Sequence, residues 1–177
     1  MTLTQGEEGD LRLVRPYRLY RLLGPATSLR VLRLRFLNGS PSKPTPALRA
    51  ILGDISWPQL RDVELGIVRA SEQDIVEFCS LHKHELRRLS LFEIELTSGS
   101  WPSVFRRLHT CLPKLQKIKL RGKCKNPNGT IDFNFDDPDS RNFARHEQRD
   151  AVEDYILNGG PFPNLKALGE ADRYSSL

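Results

Sequence analysis

The sequence predicts an α/β fold, a solenoid with parallel strands on its concave side and helices on its convex side. A leucine ladder of the form L-x-x-L-x-L or a variant of it recurs, beginning at residues 29, 60, 86, 115 and 165. Segments with helical spacing of apolar residues separate these ladders. Each strand–helix unit has apolar faces that only stacked neighbours can bury. A doubly wound α/β domain shows the same alternation, but the near-constant ladder spacing favours the solenoid.

Each ladder is predicted to be a short strand, because apolar and polar residues alternate in it. We expect parallel strands near 30–35, 61–66, 87–92 and 116–120, adjacent in that order. The first three ladder intervals, 31, 26 and 29 residues, lie at or just past the upper end of the roughly 20–29 residues of leucine-rich repeats. The predicted core positions are Leu32, Leu34, Val63, Leu65, Leu89, Leu91, Ile118 and Leu120.

The segments between ladders carry helix start signals. Thr45 is a candidate N-cap with Pro46 at the first helical position. Ser71 and Asp74 have the spacing of a capping box, and His82 continues the apolar stripe of that helix as a half-buried residue at its end. Ser100 is the candidate cap of a third helix. A fourth helix is expected from about residue 140 to residue 157.

The predicted organisation has three parts. Residues 1–27 form a ragged N-terminal segment or partial cap, 28–170 a leucine-rich-repeat-like solenoid, and 171–177 a disordered tail. An insertion at about 123–140 lengthens the last ladder interval, and it is polar and acidic apart from Ile131, Phe133 and Phe135, which suggest a short strand. Neither end reads as a polar cap, so exposed apolar surface and aggregation are expected there.

Composition bounds the class of protein. The net charge is +5, and it is uneven: residues 1–121 carry 20 Lys and Arg against 12 Asp and Glu, whereas 122–177 carry 7 against 10. No apolar run approaches the roughly 18 residues of a membrane span, and the polar, acidic start does not resemble a signal peptide. Three cysteines without paired spacing favour a reducing compartment. We therefore expect an intracellular protein, cytoplasmic or nuclear, that does not act at a membrane.

No enzyme motif is found. The chain has no phosphate-binding loop, no G-x-G-x-x-G and no G-x-S-x-G. Cys79, His82 and His84 could together suggest a metal site. His82 and His84 are two residues apart, however, and on a helix such residues point to different faces. The acidic run at 136–139 lacks the spacing of a calcium loop. The expectation is a protein without catalytic residues, bound metal, cofactor or small-molecule substrate.

Alternation within the ladders places a second set of side chains outward, on the strand face away from the core. The outward positions are Val31, Arg33, Arg35, Asp62, Glu64, Gly66, Arg88, Ser90, Phe92, Lys117, Lys119 and Arg121. Charges of both signs suit a protein partner better than nucleic acid. The candidate partner-binding residues are Arg33, Arg35, Glu64, Arg88, Phe92, Lys117 and Lys119. Two alternatives stay open. The chain could be a basic solenoid that binds nucleic acid through 12–35 and 114–125, or the outward residues could serve only to keep this face soluble.

Several motifs resemble the leucine-rich region of fungal F-box-type proteins over residues 28–121, and more weakly over 160–169. They are Asp74-Ile75-Val76-Glu77-Phe78, His82, His84-Glu85-Leu86-x-x-Leu89-x-Leu91 and Gly99-Ser100-Trp101. The resemblance implies repeats that present a substrate to a cullin-type ubiquitin ligase, whose adaptor docks on a separate F-box. The arginine-rich first 28 residues do not resemble an F-box, so the expectation is a recognition region alone.

Overall fold

The computed structural model describes residues 2–3, 19–36, 45–135 and 143–164, which form an α/β arrangement of two sheets and five helices. The helices are α1 (Leu19–Leu23), α2 (Leu48–Leu52), α3 (Glu72–Leu81), α4 (Trp101–Cys111) and α5 (Phe143–Asn158). The larger sheet, in spatial order, contains β1 (Thr2–Leu3), β2 (Val31–Arg35), β3 (Asp62–Gly66), β5 (Arg88–Phe92) and β7 (Lys117–Arg121). The smaller sheet contains β4 (Arg69–Ser71), β6 (Glu95–Ser98), β8 (Lys123–Lys125) and β9 (Ile131–Asn134).

The four predicted strands are confirmed as neighbours in one parallel sheet. β2, β3, β5 and β7 pair without a register shift, so Leu89 lies between Val63 and Ile118. The eight predicted core residues form two rows across these strands, and none is more than 3% exposed. The strand β1, which pairs with Leu34 at the far side of β2, was not predicted.

The sequence phrase apolar residue, Pro, any residue, Leu occurs at 57–60, 112–115 and 162–165, and its first two copies form the turn that leads into a strand. The Leu60 N–H donates to the Trp57 carbonyl at 3.1 Å, and the Leu115 N–H donates to the Leu112 carbonyl at the same distance. Proline suits the second position of such a turn because its φ is already fixed. The third copy, at 162–165, extends beyond the described residues.

A corner residue with a positive φ follows each of three strands of the larger sheet, β3, β5 and β7. Ile67, Glu93 and Gly122 each come directly after a strand and each have a positive φ, between 48° and 72°. The Ile67 and Glu93 N–H groups still donate to the next strand, to Phe92 and Arg121. The chain then enters β4, β6 or β8, whose buried side chains include Ala70, Leu96 and Cys124. The repeating unit is therefore strand, corner, short second strand and helix.

Two of the predicted helix starts are confirmed and one is wrong. Ser71 and Asp74 form a reciprocal capping box at the start of α3. The Ser100 side chain accepts from the Ser103 N–H at the start of α4. Thr45 does not cap α2, which has Ala47 at its N-cap without a side-chain hydrogen bond. The reason is that Ala47 bridges Arg69 of the smaller sheet in extended form, so the helix begins after it.

The predicted insertion is partly a regular element of the repeat. β8 occupies the same place after β7 that β6 occupies after β5, so residues 123–125 belong to the repeating unit. The added segment returns as β9, antiparallel to β8, and buries Phe133 and Phe135 against Phe105 of α4. Residues 136–142 and 165–177, including the predicted disordered tail, lie outside the described residues.

The last helix covers one edge of the larger sheet. α5 packs beside β7, the edge strand, and buries Val152, Tyr155 and Ile156. Glu153 Oε1 accepts the Leu120 N–H at 2.7 Å, which satisfies a donor that an edge strand otherwise leaves unpaired. α5 therefore covers this edge of the sheet, whereas the expected uncapped end, after residue 168, lies outside the described residues.

Glu153 makes stability depend on pH in a defined direction. Burial raises the pKa of Glu153, although the Leu120 N–H and the charge of Arg149 act against the rise. A carboxyl whose pKa is raised on folding destabilises the fold progressively as pH increases through that pKa. Glu153→Gln keeps an oxygen for Leu120, so we expect the variant to lose less stability than the wild type between about pH 4.5 and pH 7.

Urea denaturation across this pH range measures the difference. Glu147→Gln, on the exposed side of the same helix, is the charge-matched control, because Glu147 is not among the groups that shift the pKa of Glu153; it should leave the wild-type pH dependence unchanged. Parallel pH profiles for wild type and Glu153→Gln would show that this carboxyl is not desolvated by folding.

Candidate functional site

The outward side chains of β2, β3, β5 and β7 form a polar grid, here called the sheet face. It comprises the twelve outward positions predicted above. The strand register places Arg33, Glu64, Ser90 and Lys119 in one row across the sheet, as predicted. The flanking rows are Val31, Asp62, Arg88, Lys117 and Arg35, Gly66, Phe92, Arg121. All seven candidate partner-binding residues are therefore brought together on one face.

The two carboxylates of the sheet face are already paired within it. Asp62 Oδ2 lies 3.8 Å from Arg33 Nη2 and 3.6 Å from Arg88 Nε, so it bridges the strands on either side. Glu64 Oε1 accepts from Arg35 Nη2 at 2.8 Å. Exposed pairs of this kind contribute less than about 1 kcal/mol each. Their effect is to hold three arginine side chains against the sheet.

Phe92 is less exposed than predicted. The Arg35 guanidinium lies over its ring, 4.8 Å from the centroid, and leaves the ring half-buried. Gly66, between them on β3, permits this contact, since a Cβ there would lie 3.1 Å from Arg35 Cγ and 3.3 Å from Phe92 Cδ1. Phe92 is thus an aromatic covered by a cation and not an open ring.

The β7 end of the sheet face has a different character. In the described ranges, no carboxylate lies within 4 Å of the charged groups of Lys117, Lys119 or Arg121. The charge of Lys119 acts against the burial-raised pKa of Glu153 of α5. Together with the paired charges, these residues line an open depression of about 220 Å³.

A second surface was not predicted. β4, β6 and β8 present Arg69, Glu95 and Lys125 in one row, and Arg69 and Lys125 both pair with Glu95 at 3.1 and 4.0 Å. Exposed Ile131 lies beside this row. The sequence signal was the short apolar alternation after each ladder, for example Ile94 and Leu96, which is too brief to distinguish from a loop.

The Cys79, His82 and His84 group is not arranged as a metal site. His82 is buried rather than half-buried, because backbone groups satisfy both of its ring nitrogens. Its Nε2 accepts the Trp57 N–H at 3.1 Å, and Nδ1 lies 2.8 Å from the Phe78 carbonyl. Burial raises the pKa of the Cys79 thiol well above its usual range. Across the described residues, no group of three or more His, Cys, Asp or Glu could hold a metal ion.

Comparison with family models, with curated proteins and with solved structures finds no match to this chain. None of the helices within the described ranges is both long and apolar enough to cross a membrane.

Proposed function

We propose that this chain is a non-catalytic protein-interaction module whose sheet face binds a partner protein. The observation that carries the proposal is the in-register grid of paired and unpaired charges on one exposed face. Arginine and aromatic side chains supply much of the binding energy at protein interfaces, and this face holds four arginines and Phe92. Cofactors, catalytic residues and a small-molecule substrate form no part of the proposal.

The proposed architecture is a leucine-rich-repeat-like solenoid with the sheet face concave and the helices convex. The recurrence of strand, corner, short strand and helix supports it. With the F-box-like motifs, it leads us to propose a role like that of the substrate-recognition repeats of an F-box ubiquitin-ligase subunit, inside the cell.

Nucleic acid binding by a basic solenoid is the alternative, and the net positive charge of the β7 end favours it. Two observations favour protein over nucleic acid. Asp62 and Glu64 interrupt the positive charge of the sheet face, whereas a nucleic acid backbone gains most from uninterrupted positive charge. Phe92, the aromatic of the face, is covered by Arg35 and offers no open ring for base stacking. Binding that weakens steeply and linearly with log salt concentration would favour the alternative.

The test is co-precipitation from cell extract with wild type and with Phe92→Ala combined with Arg88→Glu. We expect the double variant to recover its specific partners at about one tenth of the wild-type level or less, because two central contacts are lost. Leu81→Ala with Lys83→Glu, both exposed at the end of α3, is the matched control and should recover them fully. Equal recovery by wild type and the Phe92/Arg88 variant would contradict the proposal.

A further inference from the structure

We infer that the segment docking on the sheet face is acidic, and that it is bound in extended form along β7. This inference rests on the proposed function and specifies the chemistry of the partner. The docking residues are the three outward cations of β7: Lys117, Lys119 and Arg121.

The charge balance of the sheet face supports an acidic occupant. The face carries six cationic side chains and two carboxylates. Both carboxylates are engaged by Arg33, Arg35 and Arg88, so they neutralise the β2–β3 side of the face. The excess positive charge therefore lies at the β7 end. A partner gains most there by supplying carboxylates, since charge complementarity sets both orientation and association rate.

The spacing of these cations fits an extended peptide. Lys117, Lys119 and Arg121 occupy alternate positions of one strand, so their Cα atoms are roughly 6.7 Å apart. Alternate residues of an extended peptide have the same repeat, so acidic residues at every second position meet all three cations. The Arg121 guanidinium adds a fork that can bind a carboxylate through two hydrogen bonds.

The peptide must lie on the sheet face, over β7, and must not extend the sheet as another strand. At the β7 edge, Glu153 of α5 already accepts the Leu120 N–H, and α5 packs beside the strand. Addition of a strand there would displace the helix. Recognition through side chains on the exposed face leaves α5 in place.

The experiment measures fluorescence anisotropy with a labelled peptide of four Glu-Ser repeats, at about 20 mM salt to limit screening. A peptide of four Gln-Ser repeats and an eight-nucleotide oligouridine RNA are the comparison probes. The test variant is Lys117→Gln, Lys119→Gln and Arg121→Gln combined. Its matched control is Lys83→Gln, Lys114→Gln and Lys123→Gln, three exposed cations outside the sheet face. Circular dichroism and urea midpoints establish that both triple variants are folded.

We expect the acidic peptide to bind wild type and the control with similar affinity, and the β7 variant roughly tenfold more weakly. Loss of three exposed ion pairs, each weak by itself, is sufficient for a tenfold change in affinity. The Gln-Ser peptide should bind far more weakly than the Glu-Ser peptide. Equal loss in both triple variants, absence of peptide binding, or tighter binding of the RNA than of the peptide would each overturn the inference.

Failure here is distinguishable from failure of the proposed function. If the acidic peptide does not bind but Phe92→Ala with Arg88→Glu still abolishes recovery of partners, the sheet face is the site and its partner is not acidic. If that double variant keeps all partners, the sheet face itself is excluded.

Discussion

Leu89→Ala should destabilise the protein by about 2–5 kcal/mol, the range for large-to-small changes in a well-packed core. Leu89 is 1% exposed and lies in register between Val63 and Ile118, so its side chain is enclosed by the neighbouring strands on both sides. Truncation leaves a cavity that the paired backbone of three parallel strands cannot easily close. Urea denaturation monitored by circular dichroism measures the change in the free energy of unfolding.

Ser90→Ala is the control, because Ser90 is the next residue on the same strand and lies on the sheet face. Its effect should stay within about 0.5 kcal/mol, as for most substitutions away from the core. A cost below about 1 kcal/mol for Leu89→Ala would show that the ladder leucines do not form the core.

His82→Ala is expected to have a comparably large effect, on the order of 3 kcal/mol. The ring stacks on Trp57, with centroids 5.8 Å apart, and packs against Phe78 at 4.8 Å. Removal of the His82 ring leaves the buried backbone N–H of Trp57 without its acceptor. A buried donor without a partner costs about 1–3 kcal/mol, and the cavity adds to it.

His82 also gives stability a pH dependence opposite to that of Glu153. Nε2 accepts a hydrogen bond and must be unprotonated, and burial lowers the pKa of His82 below its ordinary value of 6.5. The stabilising contribution of the neutral ring is therefore complete above about pH 6.5 and is lost as pH falls through the lowered pKa. We expect His82→Ala to remove this acid-sensitive component.

The exposed neighbour His84 supplies the control for both measurements. His84→Ala should change the free energy of unfolding by less than about 0.5 kcal/mol and keep the wild-type loss of stability in acid. If His82→Ala and His84→Ala have equal effects, the hydrogen bond to Trp57 contributes nothing to stability.

The parts of the fold that the sequence predicts well are those in which one local rule decides the structure. Strands β2, β3, β5 and β7 each have Leu, Val or Ile at their second and fourth positions, and a shift of one residue would expose Leu89 and its neighbours. The capping box at Ser71 likewise depends on two residues three apart. The prediction of Thr45 as the N-cap was wrong because Ala47 pairs with Arg69, which is distant in sequence, and this pairing decides where α2 begins.

The candidate site was likewise predicted from the sequence in part. Alternation alone predicted which side chains share the sheet face, and the register confirms the row through Ser90. It did not predict that Asp62 would join Arg33 and Arg88, since that depends on side-chain conformations across three strands. Nor did it predict that Arg35 would cover Phe92, which the missing side chain of Gly66 permits.

The proposal that the sheet face contacts the partner is tested most directly by photo-crosslinking. A photoreactive amino acid at Ser90 lies at the centre of the sheet face, between Glu64 and Lys119 in register. The same residue at Lys83 reports on the helix side, and at Lys123 on the smaller sheet. We expect the partner recovered by co-precipitation to crosslink from position 90 and not from positions 83 or 123. Crosslinks from position 83 or 123, with none from position 90, would contradict the account.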